Sequence, residues 1–226
     1  MNNLNELSNC GNGRIVLNRY HYFGGLSEQP IMEFCEDNGI NLEFIHILWE
    51  AFQTNSIPDT QLLMQFDTAM IIEYLEKTHA YYLDKLIPEI ELNIFRFAQL
   101  LGIEHPIIKH LIIHFDLYKQ DLVAHIQDEE LFGFTHAKQL LINGVSSLNY
   151  KIAHFEIEHE HKEEQLGELL HFLKSNVSEC EVLPFKMILS KLELLQRDLF
   201  IHSSVEDEVL VPKVRLLERV LLSRHH

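Results

Sequence analysis

The fold of this chain is decided by the stretch Asp198-Leu199-Phe200-Ile201-His202-Ser203-Ser204-Val205-Glu206-Asp207-Glu208-Val209-Leu210-Val211-Pro212. Glu206 follows His202 by four residues, so a helix places both side chains on one face. A histidine and a carboxylate in a core-facing stripe are unfavourable unless something compensates their burial. A bound metal ion is one such compensation, because imidazole and carboxylate are both ligands for iron-type ions. The other side chains on that face are apolar: Leu195, Leu199, Val209 and Leu210.

The same pattern occurs a second time around His125 and Glu129, which share a helical face with Leu122 and Phe132. A single histidine on an apolar face is more often a satisfied core residue than a metal ligand. Two such pairs, each followed by an apolar run, favour a metal site.

Composition restricts the class of protein. A hydrophobic content of 46% in 226 residues is ordinary for a globular protein that buries a sizeable core. The formal net charge of −16 argues against nucleic-acid binding, which needs clustered Lys and Arg. No apolar run reaches the roughly 18 residues that span a membrane, and the polar stretch from Met1 to Gly13 is unlike a signal peptide. We therefore expect a cytoplasmic protein with no membrane partner.

Cysteine usage and catalytic motifs exclude several further classes. The three cysteines are far apart, so they form neither a disulfide framework nor a Cys-x-x-Cys site: Cys10, Cys35 and Cys180. The chain contains no Gly-x-Ser-x-Gly, no Walker-type loop and no Gly-x-Gly-x-x-Gly, so hydrolase and nucleotide-dependent classes have no support.

Residues 1–57 are predicted to form a small helical N-terminal domain. Two helices separated by Gly39 fit this segment, and the second carries apolar residues at helical spacing. His46 and Trp49 are interpreted as part of that small core rather than as ligands. A turn-rich linker follows, with the sequence Asn55-Ser56-Ile57-Pro58-Asp59-Thr60.

Residues 66–226 carry four long helical patterns joined by short connections, which is typical of an up-down-up-down four-helix bundle. Pro88 is expected to kink or locally break the first helix. No strand-type alternation competes with these patterns, so the predicted fold class is all-α. The predicted helices run from about Asp67 to Leu100, from Pro106 to about His136, from about Ser146 to Asn176, and from Pro184 to about Val220.

Four histidines of these helices are expected at one level of the bundle. His79 and His159 lie about 12 residues after the predicted starts of their helices, and His125 and His202 lie about 19 and 18 residues after Pro106 and Pro184, which begin theirs. With two bridging carboxylates they form a site with room for two metal ions. Iron suits such a site, and zinc and manganese remain open from ligand type alone. The predicted ligands are His79, His125, Glu129, His159, His202 and Glu206.

Other histidines are interpreted as lying outside the site. His161 is rotated by about 200° from His159 on a helix, which places it on a solvent-facing side; whether it replaces His159 as ligand stays open. His110 and His114 form a solvated pair off the stripe that carries the ligands. His105 belongs to the turn before the second helix, and whether it approaches the site is open.

The motifs resemble those of the Repair of Iron Centres family of hemerythrin-like di-iron proteins over nearly the whole chain. His202-x-x-x-Glu206 with Val209-Leu210-Val211-Pro212 is similar to the family's last motif, and His125-x-x-x-Glu129-Glu130 is similar to its His-x-x-x-Glu-Glu motif. Two segments resemble the family's third and first helices: Phe155-Glu156-Ile157-Glu158-His159, and Thr78-His79 with Leu86-Ile87-Pro88-Glu89.

The resemblance implies a hemerythrin-like bundle that binds two non-haem iron ions, bridged by the carboxylates. It implies repair of iron–sulfur clusters after nitrosative or oxidative damage, through nitric oxide chemistry or iron donation.

Three departures stand out. The region comparable to the family's Cys-Cys-Gly-Gly motif reads Tyr22-Phe23-Gly24-Gly25-Leu26, without cysteines; a family histidine falls at Leu101; and Gly133-Phe134 replaces an apolar-proline step.

Three functions are therefore open. The first is a di-iron protein of the stress response that acts in iron–sulfur cluster repair or nitric oxide reduction, with iron–sulfur proteins as partners. The second is a hemerythrin-like carrier or sensor of oxygen or nitric oxide without catalytic turnover, which signals through the N-terminal domain. The third is a structural protein that has lost its metal. Enzymatic activity and a homodimeric state are left open.

Overall fold

The structure, a computed structural model, describes residues 11–21, 31–145, 150–152, 159–176 and 182–224, although the side chains of 11–14, 159–163, 222 and 224 lie outside this description. Helices make up most of the described residues, and no strand occurs among them. The predicted all-α class is therefore confirmed. No helix in these ranges combines the length and the apolar character needed to cross a bilayer.

In the ranges given above, the helices follow one another along the chain with three short π-helical turns between them. The helices are α1 (Gly11–Asn18), α2 (Ile31–Asp37), α3 (Leu42–Thr54), α4 (Thr60–Leu63), α5 (Thr68–Tyr81), α6 (Ile87–Leu101), α7 (Pro106–Asp128), α8 (Thr135–Asn143), α9 (His159–Asn176), α10 (Leu183–Val205) and α11 (Val211–Arg224). The π-helical turns are π1 (Tyr82–Leu86), π2 (Glu129–Phe134) and π3 (Glu206–Leu210).

The π turns interrupt three of the four predicted long helices. Pro88 and Pro212 each stand as the second residue of the helix that follows a π turn. Proline has no N–H and its ring crowds the carbonyl four residues earlier, so the regular α-helical hydrogen bonds cannot run through it. The predicted local break at Pro88 is confirmed. The π2 turn has no such proline and contains Gly133 instead.

The helix ends near the N-terminus follow local capping chemistry. The side chain of Asn41 accepts hydrogen bonds from the backbone N–H groups of Glu43 and Phe44, at 3.0 and 3.1 Å, and so begins α3. Asn55 ends that helix in the left-handed conformation, with φ 52°. Within the predicted linker, Asp59 caps the short helix α4 by accepting from the N–H of Leu62 at 3.0 Å.

Two compact units can be distinguished: Met1–Tyr81 with Phe200–His226, and Tyr82–Leu199. In the first unit, α1 packs on α3, and π3 packs against α4, α5 and α11. The ring of Phe44 on α3 lies edge-on against Phe66 and Tyr74, each at 5.3 Å between centroids. Helix α3 therefore shares a core with α5. The predicted domain border between residues 57 and 66 stays a prediction.

In the second unit, neighbouring long helices run antiparallel. Helix α7 pairs with α9 through Asp121 and Gln165, and, towards the other end, through His110 stacked on Phe172. Helix α6 pairs with α10 in the same sense. Its contacts are Glu89 with Lys191, and Phe97 with Phe185 at 5.3 Å between ring centroids. Antiparallel packing of such neighbours is what an all-α bundle requires.

We predict that Asn41→Ala lowers the free energy of unfolding by about 1 kcal/mol, because two N–H groups at the start of α3 lose their acceptor. Asn41→Ser retains a capping oxygen and should lose much less. Urea unfolding monitored by circular dichroism measures both variants. Equal unfolding midpoints for the alanine variant and the parent would contradict the capping role.

Candidate metal centre

Two buried histidines from different helices meet at their Nε2 atoms. His79, near the end of α5, and His202, near the end of α10, have their Nε2 atoms 3.0 Å apart, and both residues are at most 4% exposed. Two nitrogens that each lie about 2.1 Å from one ion, at right angles, are about 3 Å apart. The spacing therefore matches that of two imidazole ligands on one metal ion.

A carboxylate joins this pair in the same unit. The Oε1 atom of Glu206 lies 3.1 Å from Nε2 of His202, and Glu206 is fully buried. Glu206 is also the first residue of π3, which packs against the helix that carries His79. A buried carboxylate is strongly disfavoured unless a positive charge or hydrogen-bond donors compensate it. A metal cation in contact with all three groups supplies that compensation.

Four of the six predicted ligands form one group: His79, Glu129, His202 and Glu206. One ligand atom from each lies within 4.8 Å of those of the other three, and all four residues are buried. Two imidazoles and two carboxylates form a donor set that suits iron, manganese or zinc. This group can hold a metal ion.

His125 lies beside the group but outside it. Its Nε2 atom is 2.8 Å from Oε1 of Glu129, and its side chain is 10% exposed. Glu129 begins π2, one helical turn after His125. The contact of His125 with Glu129 is consistent with a ligand role, which stays a prediction.

Two sequence predictions concern side chains of α9 that the structure does not describe. His159 is the first residue of α9, but its side chain and that of His161 are not described. Residues 150–152 lie within the predicted third helix but are not α-helical, and α9 begins at His159. The prediction of one unbroken helix from about Ser146 to Asn176 is therefore wrong, and Ser146 itself lies outside the described residues. Both the ligand role of His159 and the solvent-facing interpretation of His161 stay predictions.

Three further histidines lie at the start and in the first half of α7: His105, His110 and His114. His105 begins α7 by accepting a hydrogen bond from the N–H of Ile107 on its Nδ1 atom, at 3.3 Å, as expected of a turn residue. His110 and His114 stack on each other at 3.9 Å between ring centroids. Burial, together with the nearby His114, lowers the pKa of His110 below its ordinary value. Leu101, where the similar family has a histidine, is exposed at the end of α6.

Two buried polar residues near the ligands in sequence were not predicted as functional. Asp198 is fully buried on α10, four residues before His202. A carboxylate at that spacing often orients a ligand imidazole, and the four-residue steps Asp198, His202 and Glu206 were a usable signal. His136 is buried on α8, beyond π2. A π turn changes the angular position of later residues, so regular spacing could not place it.

The one cysteine in the described ranges is unsuited to thiol chemistry. Cys35 is buried in α2, and its burial raises the pKa of the thiol to about 11. At neutral pH it is a protonated thiol, which is a poor nucleophile and a poor metal ligand. Cys10 and Cys180 lie outside the described residues.

No family model matches this chain, and no curated protein is similar to it.

We predict that Glu206→Gln lowers the metal content of the purified chain, because an amide is a weaker ligand than a carboxylate. In the parent protein, metal at about a hundred times its Kd adds about 2.7 kcal/mol to the free energy of unfolding. The variant should lose most of this metal-dependent gain. Metal analysis and thermal unfolding, each with and without a chelator, measure the effect.

The matched control is Glu208→Gln, because Glu208 lies in the same π3 turn and is exposed. It should bind as much metal as the parent protein. Similar metal contents for the two glutamine variants would show that Glu206 is not a ligand.

Proposed function

We propose that this chain is a non-haem di-iron protein of the nitrosative and oxidative stress response, acting in iron–sulfur cluster repair or nitric oxide handling. The observation that carries the proposal is the buried group of His79, Glu129, His202 and Glu206, whose ligand atoms lie within 4.8 Å of one another. The motif resemblance to the Repair of Iron Centres family adds the choice of iron and the reaction class.

The donor set is compatible with two iron ions. Each carboxylate has two oxygens, so Glu129 and Glu206 can each bridge a pair of cations, and two negative charges offset part of the ions' positive charge. These four residues do not supply enough ligands for two iron ions. The predicted ligands His125 and His159 are the residues that would complete them.

The chain's own residues would bind the ions and exclude water from them. Val209 and Leu210 in π3 and Val205 at the end of α10 are fully buried beside Glu206 in sequence. An apolar surround keeps the dielectric constant low, which strengthens the attraction between the carboxylates and a cation. Bound ferrous iron would supply electrons and open positions for a small diatomic ligand, oxygen or nitric oxide.

A second candidate is a hemerythrin-like protein that binds oxygen or nitric oxide and signals without turnover. The observation that favours it is the shared core of α3 and α5. Phe44 on α3 contacts Tyr74, which lies on the same helix as His79. A change at the ligand-bearing helix could therefore reach the N-terminal helices without any reaction.

We predict that protein purified without oxygen and reloaded with ferrous iron holds two iron ions per chain. After exposure to air it should show the absorption of an oxo-bridged pair. His79→Ala should remove most of the iron, because it deletes one of the central nitrogen ligands. If the parent protein holds no more iron than the His79→Ala variant, the site does not bind iron and the proposal is wrong.

The matched control for iron loading is His46→Ala, since His46 lies on α3 next to Glu50 and outside the group of four. Consumption of nitric oxide by the loaded protein, or reactivation of an enzyme with a damaged iron–sulfur cluster, separates the first candidate from the second. Reversible ligand binding without either activity favours the second.

A further inference from the structure

A buried arginine joins the N-terminal segment to the helix that carries His79. Arg19 follows α1 directly and is only 3% exposed. Its Nε atom donates a hydrogen bond to Oγ1 of Thr78, at 2.6 Å. The Thr78 hydroxyl in turn donates to the backbone carbonyl of Tyr74, at 2.9 Å. The guanidinium therefore reaches the backbone of α5 through one side chain.

Aromatic rings hold the guanidinium over the same stretch of α5. Its central carbon lies 5.1 Å from the ring centre of Tyr74, 5.8 Å from that of Tyr81 and 5.7 Å from that of Phe52. Tyr74, Thr78 and Tyr81 are spaced by four and three residues, so they form one face of α5. A guanidinium is always charged, and aromatic faces stabilise it in an interior. Arg19 thus fixes the last two turns of α5.

Those two turns are the ones that the metal group depends on. Thr78 is the neighbour of His79, whose ring lies against His202. The regular helix ends three residues after Thr78, where π1 begins. A π turn interrupts the regular α-helical hydrogen bonds, so the helix that presents His79 does not continue as a regular α-helix beyond Tyr81. Arg19 supplies a contact to these turns from outside that helix.

We propose that Arg19 is a positioning residue for the metal group: it holds Thr78, and through it the turn that presents His79. The inference rests on the proposed metal site. A ligand histidine that is already held in place loses less freedom when the ion binds, so the affinity for metal is higher. Because such coupling is reciprocal, bound metal also strengthens the attachment of Arg19 and the residues around it.

Thr78→Val tests the hydrogen bond with the shape of the side chain preserved. Loss of an orienting partner typically lowers metal affinity by about tenfold or more. We expect that loss for ferrous iron, measured without oxygen by competition with a chromogenic chelator on the full chain. Thr78→Ser keeps the hydroxyl and should restore the affinity. A valine variant that binds iron as tightly as the parent protein overturns the inference, as does a serine variant that is equally weakened.

Arg19→Met tests the other end of the bond. Its matched control is Lys77→Met. Lys77 lies on the same helix as Thr78, 5.4 Å from the ring of Tyr20, but is partly exposed. Only the Arg19 variant should weaken iron binding. In the double variant with Thr78→Val the losses should not add, since both changes break one interaction. Additive losses, or an equal loss in the Lys77 variant, overturn the role of the bond.

The reciprocal effect is measurable without any activity. Amide hydrogen exchange at residues 15–21 should slow when ferrous iron binds the parent protein, and should not change in Thr78→Val. No slowing in an iron-loaded parent protein contradicts the coupling. If the parent protein binds no iron, the proposed function itself fails. If it binds iron and the valine variant binds it equally well, only the positioning role fails.

Discussion

The structure depends on the burial of the Glu206 carboxylate next to the imidazole of His202. A carboxylate removed from water loses solvation that is worth several kcal/mol even after the protein relaxes, so its surroundings must return that energy. Here the surroundings are the two Nε2 atoms 3.0 Å apart and a second carboxylate, Glu129. Two carboxylates in one apolar place repel each other. A cation bound between such groups would replace this repulsion with attraction to both carboxylates.

Two of the π-helical turns begin at carboxylates of the buried group. Glu129 and Glu206 are the first residues of π2 and π3. A π turn contains an extra residue, so it displaces the side chains that follow it around the helix axis and widens the backbone locally. Such turns are less stable than regular helix and persist where they serve a site. Pro212 maintains π3, because the regular hydrogen-bond pattern cannot pass through it.

Much of the candidate site could be predicted from local spacing. The four-residue interval from His202 to Glu206 identifies a shared face wherever the segment is helical, and the structure places both side chains in the buried group. The π turns could not be predicted in the same way, because hydrophobic periodicity assumes one angle per residue. The bond from Arg19 to Thr78 joins residues 59 positions apart, and no periodic pattern carries information at that range. The contact of Phe44 with Tyr74, 30 residues apart in sequence, could not be predicted for the same reason.

Metal binding and folding are expected to be one process in this chain. Without a cation, the groups around Glu206 can be relieved by taking up protons, by admitting water or by local opening of the helices that carry them. Each of these loosens the packing that holds His79 and His202 together. A cation bound by these groups would link helices that are distant in sequence, so its binding would be coupled to folding. The apolar residues of π3 then gain a second role, because they keep out the water that would compete for the ion. The geometry of the site and the stability of the fold are therefore set by the same few side chains.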